Sequence, residues 1–321
     1  MAFVRRAAIA AVATFVVLAQ LVCAPGPGAS LSRRSVEQLR IVNYYPSTAA
    51  WTRMWTSYSH SRTAGDFHAI ASLGANTVRI IVQPQAVGYP TVSPTMLSRF
   101  HDVMSLARRS GLSVQLTLFD WFGRYDDVTG SAAWLRSLLA GEKGNPTIAL
   151  VELRNEIPTA SPKAIAWAST LLPLLAQVLP GVPRTVSASG DSGIVGITAV
   201  AATLPVDVVD VHYYGDPADA VPTLLAAKAV AAERPVIVGE AGRSSLGSGG
   251  EQAQAQFFRV LSVATRAAGV PPAAPWVLSD FTAGGPPHPV ASAEYHYGLR
   301  RTNGTWKPVA AVVRAVFTGK G

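Results

Sequence analysis

Short β-branched and apolar runs alternate along the chain with longer amphipathic stretches. The runs occupy residues 40–46, 76–83, 113–121, 147–157, 184–190, 206–215, 235–242 and 275–281. Each is near-continuously apolar, which marks strands covered on both faces, as in a parallel sheet. Helix signals lie between them: Ser93-Pro94 and Ser161-Pro162 each put a capping serine before proline at the first helical position. After Ser93, the residues Met96, Phe100, Val103, Met104 and Ala107 recur at helical spacing, and Gly111 ends the segment. Eight strand–helix units in about 290 residues predict an α/β fold built as a single (β/α)8 TIM barrel. A doubly wound open sheet is the alternative. It usually carries a glycine-rich phosphate loop after its first strand, whereas here that strand runs into Asn43-Tyr44-Tyr45-Pro46. No linker or shift of composition marks a further domain, so one domain is expected over residues 31–321.

Composition narrows the class. The 321 residues are 49% hydrophobic and 14% charged, too apolar for a disordered chain, and 27 Gly and 23 Pro follow no repeat. The single cysteine, Cys23, allows neither an intramolecular disulfide nor a cysteine zinc cluster. Residues 1–30 read as a signal peptide: Arg5 and Arg6, an apolar stretch over 7–23, then a small, proline-rich segment. An uncleaved anchor is the other reading, with the apolar run at the short end of what spans a bilayer. Leu21 and Val22 before Cys23 are not the small residues of a lipoprotein signal. The expected location is secreted or associated with the cell envelope, without stable membrane insertion once the leader is cleaved. Loss of Arg5 and Arg6 lowers the formal charge from +8 by two. The remaining basic pairs, such as Arg108-Arg109 and Arg300-Arg301, are isolated, so no nucleic-acid surface is expected.

In a barrel of this kind the reactive groups sit at the carboxyl ends of the strands. There the chain carries Arg79 on strand two, Asn155-Glu156 on strand four, His212-Tyr213-Tyr214 on strand six and Glu240 on strand seven. Glutamates on strands four and seven face each other across the barrel mouth, the arrangement that glycoside hydrolysis requires. One carboxyl must be protonated to donate to the leaving oxygen, which suits Glu156; the other must be ionised to attack the anomeric carbon, which suits Glu240. Arg79 and Tyr214 are expected to donate to Glu240 and lower its pKa, and Asn155 to reach a sugar 2-hydroxyl. Gly239 is expected to clear space for a sugar ring.

These residues resemble the clan of retaining glycoside hydrolases with (β/α)8 barrels, and within it the cellulase-like family 5. The Asn-Glu-Pro signature of strand four is similar to Asn155-Glu156-Ile157-Pro158, with Ile157 inserted; the strand-two arginine matches Arg79, the strand-six His-x-Tyr matches His212-Tyr213-Tyr214, the nucleophile Glu240, and the strand-eight tryptophan that floors the sugar site Trp276. Family members often carry histidine at the end of strand three, where this chain has Leu118-Phe119-Asp120-Trp121. The resemblance implies an exported β-glycoside hydrolase that cleaves a glucan-type oligo- or polysaccharide by double displacement, as a monomer and without cofactor or metal. A β-mannan or a cell-envelope polysaccharide is the alternative substrate, and a carbohydrate-binding barrel without turnover is the alternative outside enzymes.

Several residues carry simpler expectations. Glu152 is expected to be an ion-pair partner, two residues before Arg154. Phe119, Trp121 and Phe122 are expected to form an aromatic platform under sugar C–H faces. Tyr45, Trp51 and Trp55 are candidates for lining subsites, while Trp134 and Trp167 are expected to pack helices. His212 has the alternative of a satisfied core histidine. Gly190-Asp191-Ser192-Gly193 spells a serine-protease signature but lacks the matching upstream histidine and the all-β fold, and reads as a turn. His288, Glu294 and His296 lack metal-ligand spacing and are expected only to shape the mouth of the site, with Asp280 and Phe281.

Overall fold

The computed structural model describes residues 34–188 and 193–320. The leader with Cys23 and the Gly190-Asp191-Ser192 part of the expected turn lie outside the described residues; Gly193 is the first residue of a helix.

Strands β1 (Ile41–Asn43), β2 (Thr77–Val82), β3 (Ser113–Leu118), β4 (Ile148–Glu152) and β5 (Arg184–Thr185) pair in that order, all parallel. Strands β6 (Val209–Tyr213) and β7 (Val236–Ala241) form a second parallel pair. A bridge between Ser187 and Asp210 joins β5 to β6, and one between Ala241 and Pro275 carries the ladder past β7. The ring then closes on β1: the Asn43 amide donates to Pro275 at 3.2 Å and the Leu278 amide donates to Asn43 at 3.1 Å. The eighth position is thus extended chain with isolated bridges in place of a regular strand. Pro275 has no N–H to donate, and Ser279 bridges Arg300.

Every residue of β2 and β3 is buried, because the barrel interior covers one face and the helices the other. Among the described residues ten α-helices follow in chain order: α1 (Arg53–Thr56), α2 (His60–Ser72), α3 (Pro84–Val87), α4 (Pro94–Arg109), α5 (Val128–Leu138), α6 (Pro162–Val178), α7 (Gly193–Thr203), α8 (Ala220–Ala231), α9 (Gly250–Ala268) and α10 (Pro308–Phe317). Both expected caps form: Ser93 accepts from the Met96 amide and Ser161 from the Ala164 amide, each at 3.3 Å. Helix α4 buries Phe100, Val103, Met104 and Ala107, the face read from its spacing. A small apolar cluster of Val36, Leu39, Ile41, Leu150, Val208 and Ile237 fills the amino-terminal end of the barrel, which leaves the carboxyl end for polar groups. No helix among the described residues is long and apolar enough to cross a membrane.

Phe100 is fully buried beside Trp55. Its replacement by alanine is expected to lower unfolding free energy by about 3–5 kcal/mol in urea titration; a loss below about 1 kcal/mol would show that this helix face does not carry the core.

Candidate active site

The polar centre is built around Arg79 on β2, whose side chain is fully buried. Its Nε and Nη2 donate to one Glu152 oxygen at 2.9 and 2.7 Å, Nη1 donates to Asn43 at 2.8 Å and to Glu240, and Nη2 also donates to Asn155 at 2.8 Å. One guanidinium therefore links β1, β2, β4 and β7. Glu152 is an ion-pair partner as expected, but of Arg79; Arg154 instead lies 3.9 Å from Asp120. Thr117 and Ser187 donate to the two Glu152 oxygens at 2.7 and 2.5 Å. Burial works against the Glu152 charge, but Arg79, His212 and these hydroxyls outweigh it and hold its carboxyl below the usual range.

Glu240, near the end of β7, receives Arg79 on one oxygen and the Tyr214 hydroxyl on the other at 2.7 Å. Both expected donors are in place. Gly239 has a different role from the one expected. A Cβ there would lie 2.3 Å from an Asp210 oxygen, and the Gly239 amide donates to that oxygen at 2.9 Å. The missing side chain thus makes room for a buried carboxyl beneath Glu240, not for a sugar ring above it. Burial raises Asp210 to about 7, helped by the Glu152 charge.

Glu156 follows β4 with a left-handed backbone, φ 47°, an uncommon state for a side chain with Cβ and one that concentrates at functional sites. Its amide donates to Ser187 Oγ at 2.8 Å, and the Ile157 amide to the Ser187 carbonyl at 2.9 Å. The chain is bent upward so that the Glu156 carboxylate reaches His212. His212 Nδ1 lies 3.1 Å from Glu156 and 3.5 Å from Glu240, and oxygens of the two glutamates lie within 4.8 Å of one another. Burial pulls the imidazole down, but the charge of Glu240, the hydrogen bond to Glu156 and the charge of Asp210 lift it to about 9. His212 is therefore tied to both glutamates by charge and hydrogen bonding and is not a bystander in the core.

A cavity of about 560 Å³ opens over these groups. Trp276 and Trp51 form its floor, and Trp121, 41% exposed, stacks on Trp51 at 5.7 Å. Of the expected platform only Trp121 faces the cavity. Phe119 and Phe122 turn inward against Trp167, and Phe119 also packs on Trp134 at 4.5 Å, so both belong to the core, as do the two helix tryptophans. Of the three residues after β1, Trp51 lines the cavity, Tyr45 is buried beneath it with its edge toward Trp276, and Trp55 donates from Nε1 to Ile81 in the core. Asn155 lines the cavity while donating to Asp120 at 3.1 Å, which leaves its second amide hydrogen for a ligand. Asp120, in the position where histidine was noted as common, also lines the cavity and receives Gln83 at 3.1 Å.

Asn43 and Glu294 do more than the sequence predicts. Asn43 binds Arg79 from the end of β1; a polar side chain after two apolar residues at a strand end was the available signal. Glu294 was expected only to shape the mouth. It lines the cavity itself, accepts from Trp276 Nε1 at 3.4 Å, and is raised by burial and by the Glu240 and Glu156 charges against the pull of that hydrogen bond. His288 stacks on Trp121 at 5.0 Å, while the His296 carbonyl accepts from Lys307 and Ser245.

His212 and Asp210 both bind their protons more tightly folded than unfolded, so their stabilising effect is complete at low pH and lost on alkalinisation. The Asp210 part fades as pH rises through about 7, and the His212 part as it rises through about 9. The melting temperature is therefore expected to fall from about pH 6.5, the ordinary histidine value, to about pH 9, and His212→Gln to flatten that slope. An unchanged slope in the variant would remove the imidazolium from the site.

No protein-family model matches the sequence, and no curated protein sequence is similar to it. Solved structures are similar in fold. An exo-β-1,4-mannosidase from Opitutaceae bacterium strain TAV5 superposes with a TM-score of 0.74 at 21% identity, over 92% of this chain and 62% of that one; the chain thus spans less than two thirds of that enzyme. A variant of a GH5_18 protein from Streptomyces cattleya in complex with Manβ1-4GlcNAc gives 0.70 at 22% identity, over 88% and 80%. A GH2 β-galacturonidase from Eisenbergiella tayi bound to galacturonate gives 0.67 at 15% identity, over 88% and 51%. The chain therefore has the (β/α)8 barrel fold that glycoside hydrolases of families 5 and 2 use.

Proposed function

We propose that the protein is an exported retaining β-glycoside hydrolase. The observation that carries this reading is the pair Glu156 and Glu240, from the ends of β4 and β7 in one aromatic-floored cavity, with carboxylate oxygens within 4.8 Å. Retaining enzymes hold their carboxyls about 5 Å apart, whereas inverting ones leave roughly 6.5–9.5 Å for an intervening water. Export rests on the sequence of residues 1–30 alone.

With a sugar ring stacked on Trp276, Glu240 attacks the anomeric carbon while Glu156 gives its proton to the departing oxygen, and a glycosyl ester forms on Glu240. Glu156, now a carboxylate, takes a proton from water, which attacks the same carbon and releases Glu240. Arg79 and Tyr214 hold the nucleophile in one orientation through two different oxygens. Asn155 supplies a donor toward the 2-hydroxyl, where charge builds in the transition state. His212, close to both glutamates, compensates negative charge as the proton leaves Glu156.

Among the described residues, Asp120, Glu156, Glu240 and Glu294 line the cavity, and neither lysine nor arginine does. An anionic uronate such as the ligand of the galacturonidase is therefore disfavoured, and a neutral sugar fits. The sequence alone suggested a glucan-type substrate; the mannosidase and the Manβ1-4GlcNAc complex among the similar folds favour testing β-mannosides first.

Glu240→Gln is expected to abolish hydrolysis of aryl β-glycosides. Glu156→Gln is expected to slow glycosides with poor leaving groups by about 10²–10⁴-fold and dinitrophenyl glycosides far less, since these need no proton. Mass spectrometry after a 2-fluoro glycoside should find the adduct on Glu240. An adduct elsewhere, an inverted first product by NMR, or no wild-type turnover over a broad β-glycoside panel would overturn the reading, the last in favour of a binding protein.

A further inference from the structure

Double displacement uses two carboxylates, yet a third faces the same cavity. Glu294 sits in the short 3₁₀ turn Ser292–His296, beyond the eighth barrel segment. Its Oε2 accepts from Trp276 Nε1 at 3.4 Å, while Oε1 has no hydrogen-bond partner among the described residues. An acceptor-only group with open lone pairs, set beside the ring that floors the site, requires a donor from outside the protein.

The turn that carries Glu294 is fixed along its backbone. Ser244 Oγ donates to the Ala293 carbonyl at 2.9 Å, the Ser245 amide to the His296 carbonyl at 3.0 Å, Lys307 Nζ to that same carbonyl at 3.1 Å, and the Phe281 amide to the Tyr295 carbonyl at 3.2 Å. Lys307 is itself buried and paired with Asp280 at 2.6 Å. Anchors from three separate segments hold a turn of five residues, so Glu294 is a preorganised acceptor and not a mobile surface charge.

Resting on the hydrolase reading, we infer that Glu294 is a specificity-determining residue: its carboxylate accepts hydrogen bonds from a pair of neighbouring hydroxyls on the sugar ring held against Trp276. The site then selects neutral rings that keep this diol and rejects rings that are deoxygenated or carry a carboxylate there. A ring gripped at the diol and at the anomeric carbon is bound from two ends, with Trp276 beneath it. Glu294 takes no part in proton transfer.

The test compares wild type, Glu294→Ala and Glu294→Gln on the best aryl β-glycoside and on its 3-, 4- and 6-deoxy analogues. Each kcat/KM is read separately, and the melting temperature checks the fold. For wild type, removal of one diol hydroxyl is expected to reduce kcat/KM by about 10- to 100-fold, the effect of a hydrogen bond to a charged group. Glu294→Ala should lose as much on the parent sugar and little more on that analogue. Glu294→Gln, which keeps an acceptor for Trp276, should fall between. A role confined to propping Trp276 would instead lower all four substrates by the same factor, and that outcome overturns the inference. So does wild-type turnover that Glu294→Ala leaves unchanged, or a wild-type preference for the corresponding amino sugar that disappears in the variant. In each of these cases the hydrolase reading stands. No wild-type turnover and no 2-fluoro adduct would remove both.

Discussion

The buried guanidinium of Arg79 is the constraint on which the rest of the site depends. A fully desolvated cation is tolerable only when its donors are met, and Glu152, Glu240, Asn43 and Asn155 meet them from three other strands. Two of these partners are carboxylates that would themselves be costly to bury unpaired. The network is thus mutually obligatory: the strands must come into one register for any of its members to be stable. That register also sets Glu240 at the cavity floor and Asn155 at its wall. Structure and chemistry share the same ion pairs.

Below this layer the charges alternate in depth. Asp210 sits under Gly239, in space that any larger residue would fill, and Glu152 is enclosed by hydroxyls of Thr117 and Ser187. His212 lies between the two deep acids and the two upper glutamates, and the surrounding negative charge outweighs burial and lifts its pKa. The Ser187 side chain donates to Glu152 and accepts from the Glu156 amide. It therefore connects the structural carboxylate to the candidate acid/base and helps hold Glu156 in its left-handed backbone.

Above the charged layer, the aromatic residues come from loops. Trp51 and Trp121, both with positive φ, stack on each other, and His288 extends the stack on Trp121. Similar residue types a few positions away, Phe119 and Phe122, went into the core. A loop residue's direction depends on one or two backbone angles, and no periodicity encodes them.

The repeating unit and the chemistry at the strand ends were legible in the linear chain, because strands buried on both faces and capped amphipathic helices impose local patterns. Glu156, Glu240, Arg79, His212 and Tyr214 stood out since polar residues at the end of an apolar run have few structural reasons to be there. The pairing of Glu152 with Arg79, the carboxyl beneath Gly239, the selection of Trp51 and Trp121 over Phe119, and the entry of Glu294 into the cavity were decided only in the tertiary structure. Each is a contact between segments tens to hundreds of residues apart, and such contacts depend on barrel closure and loop direction, which no local sequence period records.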